Sequence, residues 1–132
     1  MRILFVCTGN ACRSPLADAL LKKLRPYIDV DSAGTYVYYK VVDLTRRYAE
    51  QEGASEFLKT VPDSLESKNL SDYDLIVAME MEHKQAILDQ SPECADNVVV
   101  WYINDPYQLP YKQASKEFDR IKNKVAHLAK SL

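Results

Sequence analysis

The sequence predicts an α/β fold, a single-domain three-layer sandwich with helices on both faces of a four-stranded parallel sheet. Three observations predict it. Short continuous apolar runs alternate along the chain with segments of helical period, as right-handed crossovers between parallel strands require. The runs lack polar alternation, so they read as strands buried on both faces. The chain has 132 residues, 47% of them hydrophobic, enough for one buried core without covalent staples.

Residues 2–6 (RILFV) are the first such run. Leu16, Leu20 and Leu24, with Leu21 beside them, then mark one face of a helix over 15–24. Ser14 is its expected cap, Pro15 suits its first position, and Pro26 lies just past its end. IDVDSAG (28–34) reads as a second strand ending at Gly34, and residues 44–52 as a helix stopped by Gly53. Residues 54–72 show no clear period; a loop with a short helix is expected there. DLIVAM (74–79) reads as the third strand, MEHKQAILD (81–89) as the third helix and VVVWY (98–102) as the fourth strand. The last helix has the clearest period, with Phe118, Ile121, Val125, Leu128 and Leu132 on one face. No repeat or linker interrupts this order.

Composition excludes several functions. A net charge of −2 with no basic run argues against nucleic acid and anionic membrane surfaces as partners. No apolar run approaches a membrane span, and the start MRILFVC does not read as a signal peptide. The three cysteines lack metal-type spacing, so a reducing, cytoplasmic setting is expected. His83 and His127 fall on predicted helices without ligand partners and read as surface or rim residues. No metal and no cofactor are expected.

The chain's scarce residues cluster in CTGNACRSP, Cys7 to Pro15, which holds two of the three cysteines and one of the three glycines. In open α/β sheets ligands sit at the carboxyl ends of strands, and this is the first strand-to-helix loop. A loop of this size running into a helix can curl its N–H groups inward as an anion nest, with the helix N-terminus adding partial positive charge. Gly9 permits close approach or positive φ, and Asn10 tolerates the left-handed region. Arg13 supplies a planar fork for two oxygens of a tetrahedral anion. The stretch therefore reads as a phosphate-binding loop. Its donors are the amides of Thr8, Gly9, Asn10, Ala11, Cys12 and Arg13, with Ser14 following. A thiol on the floor of such a cradle has its thiolate stabilised by the same field, and the thiolate is the nucleophile. Cys7 is then expected to attack phosphorus, giving a phosphocysteine that water hydrolyses. Asp105 lies just beyond the fourth strand, on the same edge of the sheet. It reads either as an Asp-Pro turn or as a proton donor to the leaving oxygen.

FVCTGNACRSPLADALL resembles the signature of the low-molecular-weight protein tyrosine phosphatases, V-C-x-G-N-x-C-R-S-P. DSAGT (31–35), DYDLIVAME (72–80) and NDPY (104–107) resemble three further segments of that family, in order, so the match spans nearly the whole chain. The resemblance implies that Cys7 is the nucleophile, Arg13 the phosphate-binding arginine and Asp105 the general acid and then base. It implies that Ser14 donates to the Cys7 sulfur, and that Asn10 and Ser32 hold the loop's shape. It implies a phosphorylated protein as substrate. A cytoplasmic monomer is expected, and no metal, because the loop N–H groups and Arg13 already neutralise the phosphate charge. The resemblance also suggests Cys12 as a redox partner that shields Cys7 through a reversible disulfide; a buried thiol behind the loop is the other reading.

Departures from the family pattern bear on substrate. Tyr36, Tyr38 and Tyr39 stand where the family carries other cleft-wall residues, and with Tyr107 they are candidate walls. The histidine with which many members brace the loop has no counterpart in residues 57–72. Position 11 carries a bulky aliphatic residue in many tyrosine-specific members and threonine in members resembling arginine phosphatases; here it is Ala11. Phosphotyrosine is the favoured substrate, because aromatic walls suit an aromatic ring, and phosphoarginine is the alternative. Arsenate reductases share the fold and loop but need a cysteine relay. This chain offers only Cys94 downstream, which reads as a plain thiol.

Overall fold

A computed structural model describes all 132 residues, Met1 to Leu132. Four strands, β1 (Arg2–Cys7), β2 (Asp29–Gly34), β3 (Leu75–Ala78) and β4 (Val98–Val100), form one parallel sheet in the order β2-β1-β3-β4. The helices are α1 (Arg13–Leu24), α2 (Asp43–Gln51), α3 (Met81–Gln90) and α4 (Tyr111–Lys130). The expected three-layer α/β architecture is thus present, with no helix long and apolar enough to cross a membrane.

Alternation along β1 divides the core into two layers. Ile3, Phe5 and Cys7 pack with Leu16 and Leu21 of α1, Tyr48 and Ala49 of α2, and Phe118, Ile121 and Val125 of α4. Leu4 and Val6 face the other way, onto Ile87 of α3, Cys94, Leu65, Leu70 and Tyr73. Both faces are covered, which is why the strands read as unbroken apolar runs. Gly53, with φ of 68°, stands just past α2 as expected. The period of α4 also holds: Phe118, Ile121 and Val125 are fully buried, and Leu128 and Leu132 pack at the margin.

The structure departs from expectation at three places. Ser14 lies inside the first turn of α1 rather than capping it; Cys12 holds the cap position and makes no side-chain capping bond. The Ser14 hydroxyl is instead spent on the loop, as described below. β4 ends at Val100, although Trp101 N–H to Ala78 O and Ile103 N–H to Met79 O, both 2.9 Å, prolong the pairing. Tyr102 between them has φ of 57° and interrupts regular strand geometry. Residues 54–72 contain three single-turn 3-10 helices, Ser55–Phe57, Leu65–Ser67 and Leu70–Asp72, too short to show a period in sequence.

Candidate active site

The loop from Cys7 to Arg13 leaves β1 and enters α1 at the carboxyl edge of the sheet. Five of its carbonyls are paired with groups outside the loop. Thr35, Tyr36, Tyr38 and Val42 donate backbone N–H groups to Cys7 O (3.1 Å), Thr8 O (2.9 Å), Gly9 O (3.0 Å) and Ala11 O (2.9 Å). The Thr45 hydroxyl donates to Cys12 O at 2.9 Å. In contrast, none of the backbone N–H groups of Thr8 through Arg13 donates to any protein acceptor. Buried backbone donors are nearly always paired. Six adjacent unspent donors beside paired carbonyls therefore make a nest shaped for an anion.

Two features let the chain curl so tightly. Asn10, not Gly9, takes the left-handed conformation, with φ of 49°. Gly34 lies directly beneath the loop: a Cβ there would stand 2.5 Å from Thr8 O and 2.7 Å from Asn10 N, so no other residue fits. Gly9 serves close approach, since the Tyr38 ring packs within 2.9 Å of where its Cβ would be.

The Cys7 sulfur is buried, 2.9 Å from Ser14 Oγ and 3.5 Å from Ser14 N. Asn10 Nδ2 donates to the same Ser14 oxygen at 2.9 Å, so the Ser14 hydrogen is free to point at the sulfur, which lies much nearer than its other acceptor, Ala33 O at 3.5 Å. Arg13 is buried and anchored, its Nη1 donating to Ile103 O at 2.7 Å and to Glu80 Oε1, with Asp105 Oδ2 3.9 Å from Nη2. Burial works against its charge, but facing Cys7, Glu80 and Asp105 hold its pKa above the ordinary value. Asp105 is half-exposed, and its Oδ1 accepts the Tyr107 N–H at 3.0 Å. The Asp-Pro turn is therefore real, and it leaves the second oxygen on the side of Arg13.

These groups surround one cavity, lined by Cys7, Thr8, Gly9, Ala11, Cys12, Arg13, Tyr38, Asp105 and Tyr107. Asn10 and Ser14 are fully buried behind the loop and do not line it. Tyr38 and Tyr107 meet edge-to-face, ring centroids 5.2 Å apart, at its rim. Tyr36 and Tyr39 point to solvent, 78% and 86% exposed, and are not part of the wall. Ser32 supports the loop indirectly: its hydroxyl donates to buried Asp18 of α1 at 2.9 Å and its carbonyl accepts Lys59 Nζ at 2.9 Å. Burial pushes the Cys12 thiol up to about 12, so it stays protonated at neutral pH. Cys12 and Cys7 are both free thiols, and Cys94 lies in the opposite core layer beside Ser91.

Three residues at the site escaped sequence reasoning. His83 is fully buried rather than at the rim, with Nε2 2.9 Å from Thr8 Oγ1 and Nδ1 accepting the Glu80 N–H at 3.0 Å. Glu80 grips Arg13. Lys59 takes up the bracing for which no histidine was found, donating to Asn10 Oδ1 at 3.1 Å, to Ser32 O and to Asp63 Oδ2 at 2.9 Å. The capping position of Glu80, one residue before a helix on the site edge, was the only signal in sequence for any of them.

Fold and site together define a class: an α/β protein with an anion nest, a cysteine and an arginine after its first strand. The family model described as "Low molecular weight phosphotyrosine protein phosphatase" matches residues 2–132, and the chain belongs to that family. It is 31% identical over 123 residues to the low molecular weight protein-tyrosine-phosphatase Etp of Escherichia coli K12, covering 90% of this chain and 83% of Etp. It is 32% identical over 149 residues to a protein-arginine-phosphatase of Geobacillus stearothermophilus, covering 99% of this chain and 95% of that one. The structure of Vibrio vulnificus Wzb in complex with benzylphosphonate superposes with a TM-score of 0.90 at 27% identity, over 99% of this chain and 98% of that one.

Proposed function

We propose that the protein is a cysteine-dependent phosphatase that hydrolyses phosphotyrosine in proteins through a phosphocysteine intermediate. The observation that carries this reading is the nest of six unspent amides with the Cys7 sulfur and the Arg13 guanidinium at its two ends. The phosphoryl oxygens lie against the amides and Arg13, which stabilise the charge that develops in transfer. The Cys7 thiolate attacks phosphorus, and the phosphorus–oxygen bond to the tyrosine breaks as Asp105 gives its proton to the departing oxygen. Asp105 then takes a proton from water, whose oxygen attacks phosphorus. The sulfur–phosphorus bond breaks, inorganic phosphate leaves, and Ser14 stabilises the released thiolate. The Tyr38 and Tyr107 pair at the rim suits an aromatic ring. We place the enzyme in the cytoplasm as a monomer acting on phosphorylated proteins. Cys12 is its redox partner in this reading. A peroxide oxidises the Cys7 thiolate to a sulfenic acid, and the buried Cys12 thiol displaces its oxygen as water to close the disulfide.

A second reading, phosphoarginine in proteins, is favoured by one observation. The relative covering 99% of this chain is a protein-arginine-phosphatase. Ala11, buried at the cavity wall, is small enough for either group.

Steady-state turnover of phosphotyrosine, phosphoserine and phosphoarginine peptides separates the readings. Phosphotyrosine is expected to be preferred, Cys7→Ser to be silent, and Asp105→Asn to lose roughly two to four orders of magnitude in kcat. A preference for phosphoarginine reassigns the substrate and keeps the mechanism. Undiminished turnover by Cys7→Ser overturns the mechanism.

A further inference from the structure

Thr8 follows the nucleophilic cysteine and lines the cavity, and its hydroxyl meets one protein group only, His83 Nε2 at 2.9 Å. The direction of that bond is fixed from the far side of the ring. The Glu80 backbone N–H points at His83 Nδ1 from 3.0 Å. A backbone amide can only donate, so Nδ1 carries the lone pair and the neutral ring carries its hydrogen on Nε2. Nε2–H therefore donates to Thr8 Oγ1. The Glu82 carboxylate, 3.7 Å from Nε2, is too far to compete for that hydrogen. The Thr8 hydroxyl, already an acceptor, must place its own hydrogen elsewhere, and no protein acceptor receives it.

We propose that Thr8 is a seventh hydrogen-bond donor to the phosphoryl group, a side-chain donor added to the six loop amides and aimed into the cavity by His83. The proposal rests on the phosphatase reading of the same site. Without His83 the hydroxyl is free to rotate; with His83 Nε2–H occupying one of its lone pairs, its hydrogen has no protein acceptor and is left for a group bound in the cavity that Thr8 lines. The same segment thus holds both ends of the loop, Glu80 at Arg13 and His83 at Thr8. Burial lowers the imidazole pKa to about 4, with the Arg13 charge adding and Asp105 opposing, so the ring is neutral wherever the enzyme is assayed near neutral pH.

Two measurements test this. The chain has two histidines, so nitrogen-15 NMR of the imidazoles reads the tautomer of His83 directly. The expected result is the Nε2–H form; an Nδ1–H form overturns the proposal. Kinetics with p-nitrophenyl phosphate, and competitive inhibition by inorganic phosphate, read the donor. Thr8→Val keeps the shape and removes the hydroxyl. It is expected to weaken both phosphate inhibition and kcat/KM about ten-fold, the effect of one hydrogen bond to a charged acceptor. Thr8→Ser is expected to recover most of that loss. His83→Gln, whose amide nitrogen reaches the Nε2 position, is expected to retain more activity than His83→Asn, which mimics Nδ1 alone. Adding His83→Asn to Thr8→Val is expected to cost little more. Phosphate affinity and turnover unchanged in Thr8→Val overturn the proposal. A Cys7→Ser protein that remains active strikes the phosphatase reading instead, while the tautomer and phosphate affinity still report on Thr8.

Discussion

Asn10 is held in its left-handed conformation by three bonds: from Asp63 N–H at 2.7 Å and Lys59 Nζ at 3.1 Å to its oxygen, and from its own amide to Ser14. Lys59 is nearly buried and sits between Asp31 and Asp63, which Lys68 also contacts. Burial opposes the ionisation of both carboxylates, but the two lysines outweigh it and keep them below the usual range. A cation is thereby fixed behind the loop, three hydrogen bonds from the Cys7 sulfur through Asn10 and Ser14. Lys59→Met is expected to cost about 2–3 kcal/mol of stability and to lower kcat roughly ten- to a hundred-fold as the loop relaxes. Lys59→Arg should restore part of both. Urea unfolding and kcat per folded enzyme check this; an unchanged kcat in Lys59→Met contradicts the bracing role. That Cys7, Arg13 and Asp105 meet at one cavity follows from a contiguous loop motif and an Asp-Pro pair at the same sheet edge. Lys59 and His83 were not legible in the sequence, because they meet the loop across 49 and 75 residues of chain. Only the crossovers of the sheet decide which lysine or histidine arrives there.

At the scale of elements, α3 shows how a helix start serves a site. Its first turn places His83 inward, where burial and the Arg13 charge hold the imidazole neutral down to a pKa of about 4. The unfolded chain takes up a proton nearer 6.5. The folded value is depressed, so the unfolded state binds more protons below neutrality and stability falls with pH. The contribution is full above about 6.5 and is lost as pH drops toward about 4, on the order of 3 kcal/mol in all. Chemical denaturation at pH 7 and pH 4.5 should show wild type losing more stability than His83→Gln over that window. Equal losses in the two proteins contradict this assignment. The types of the strands and long helices were legible, since β1 and β3 are buried on both faces and each long helix has one apolar side, whereas the single-turn 3-10 helices were not. Boundaries were less legible where the loop's demands override local preference. Ser14, a good cap by type, gives its hydroxyl to Asn10 and Cys7, and Tyr102 breaks the fourth strand two residues early.

Over the whole molecule, the order β2-β1-β3-β4 gathers the carboxyl ends of four parallel strands at one edge. Each contributes there: Cys7 from β1, Gly34 at the end of β2 with Tyr38 after it, Glu80 and His83 after β3, Ile103 and Asp105 after β4. The alternation of strands and helices announced that edge, and Cys7 to Pro15 announced the donor-lined loop there. What walls the cavity above the loop was less legible. Tyr36, Tyr38 and Tyr39 are alike in type, and only the packing of the Tyr38 ring against Tyr107 and Gly9 distinguishes it from its two exposed neighbours. The central claim is that the phosphoryl group passes through the Cys7 sulfur. Asp105→Asn is expected to slow the second step, so rapid quench of that variant with an aryl phosphate, followed by peptide mass mapping, tests it most directly. A phosphoryl group on the peptide containing Cys7, absent in Cys7→Ser, is the expected result. Steady turnover with no phosphorylated peptide at any quench time, or a phosphoryl group on another residue, would contradict it.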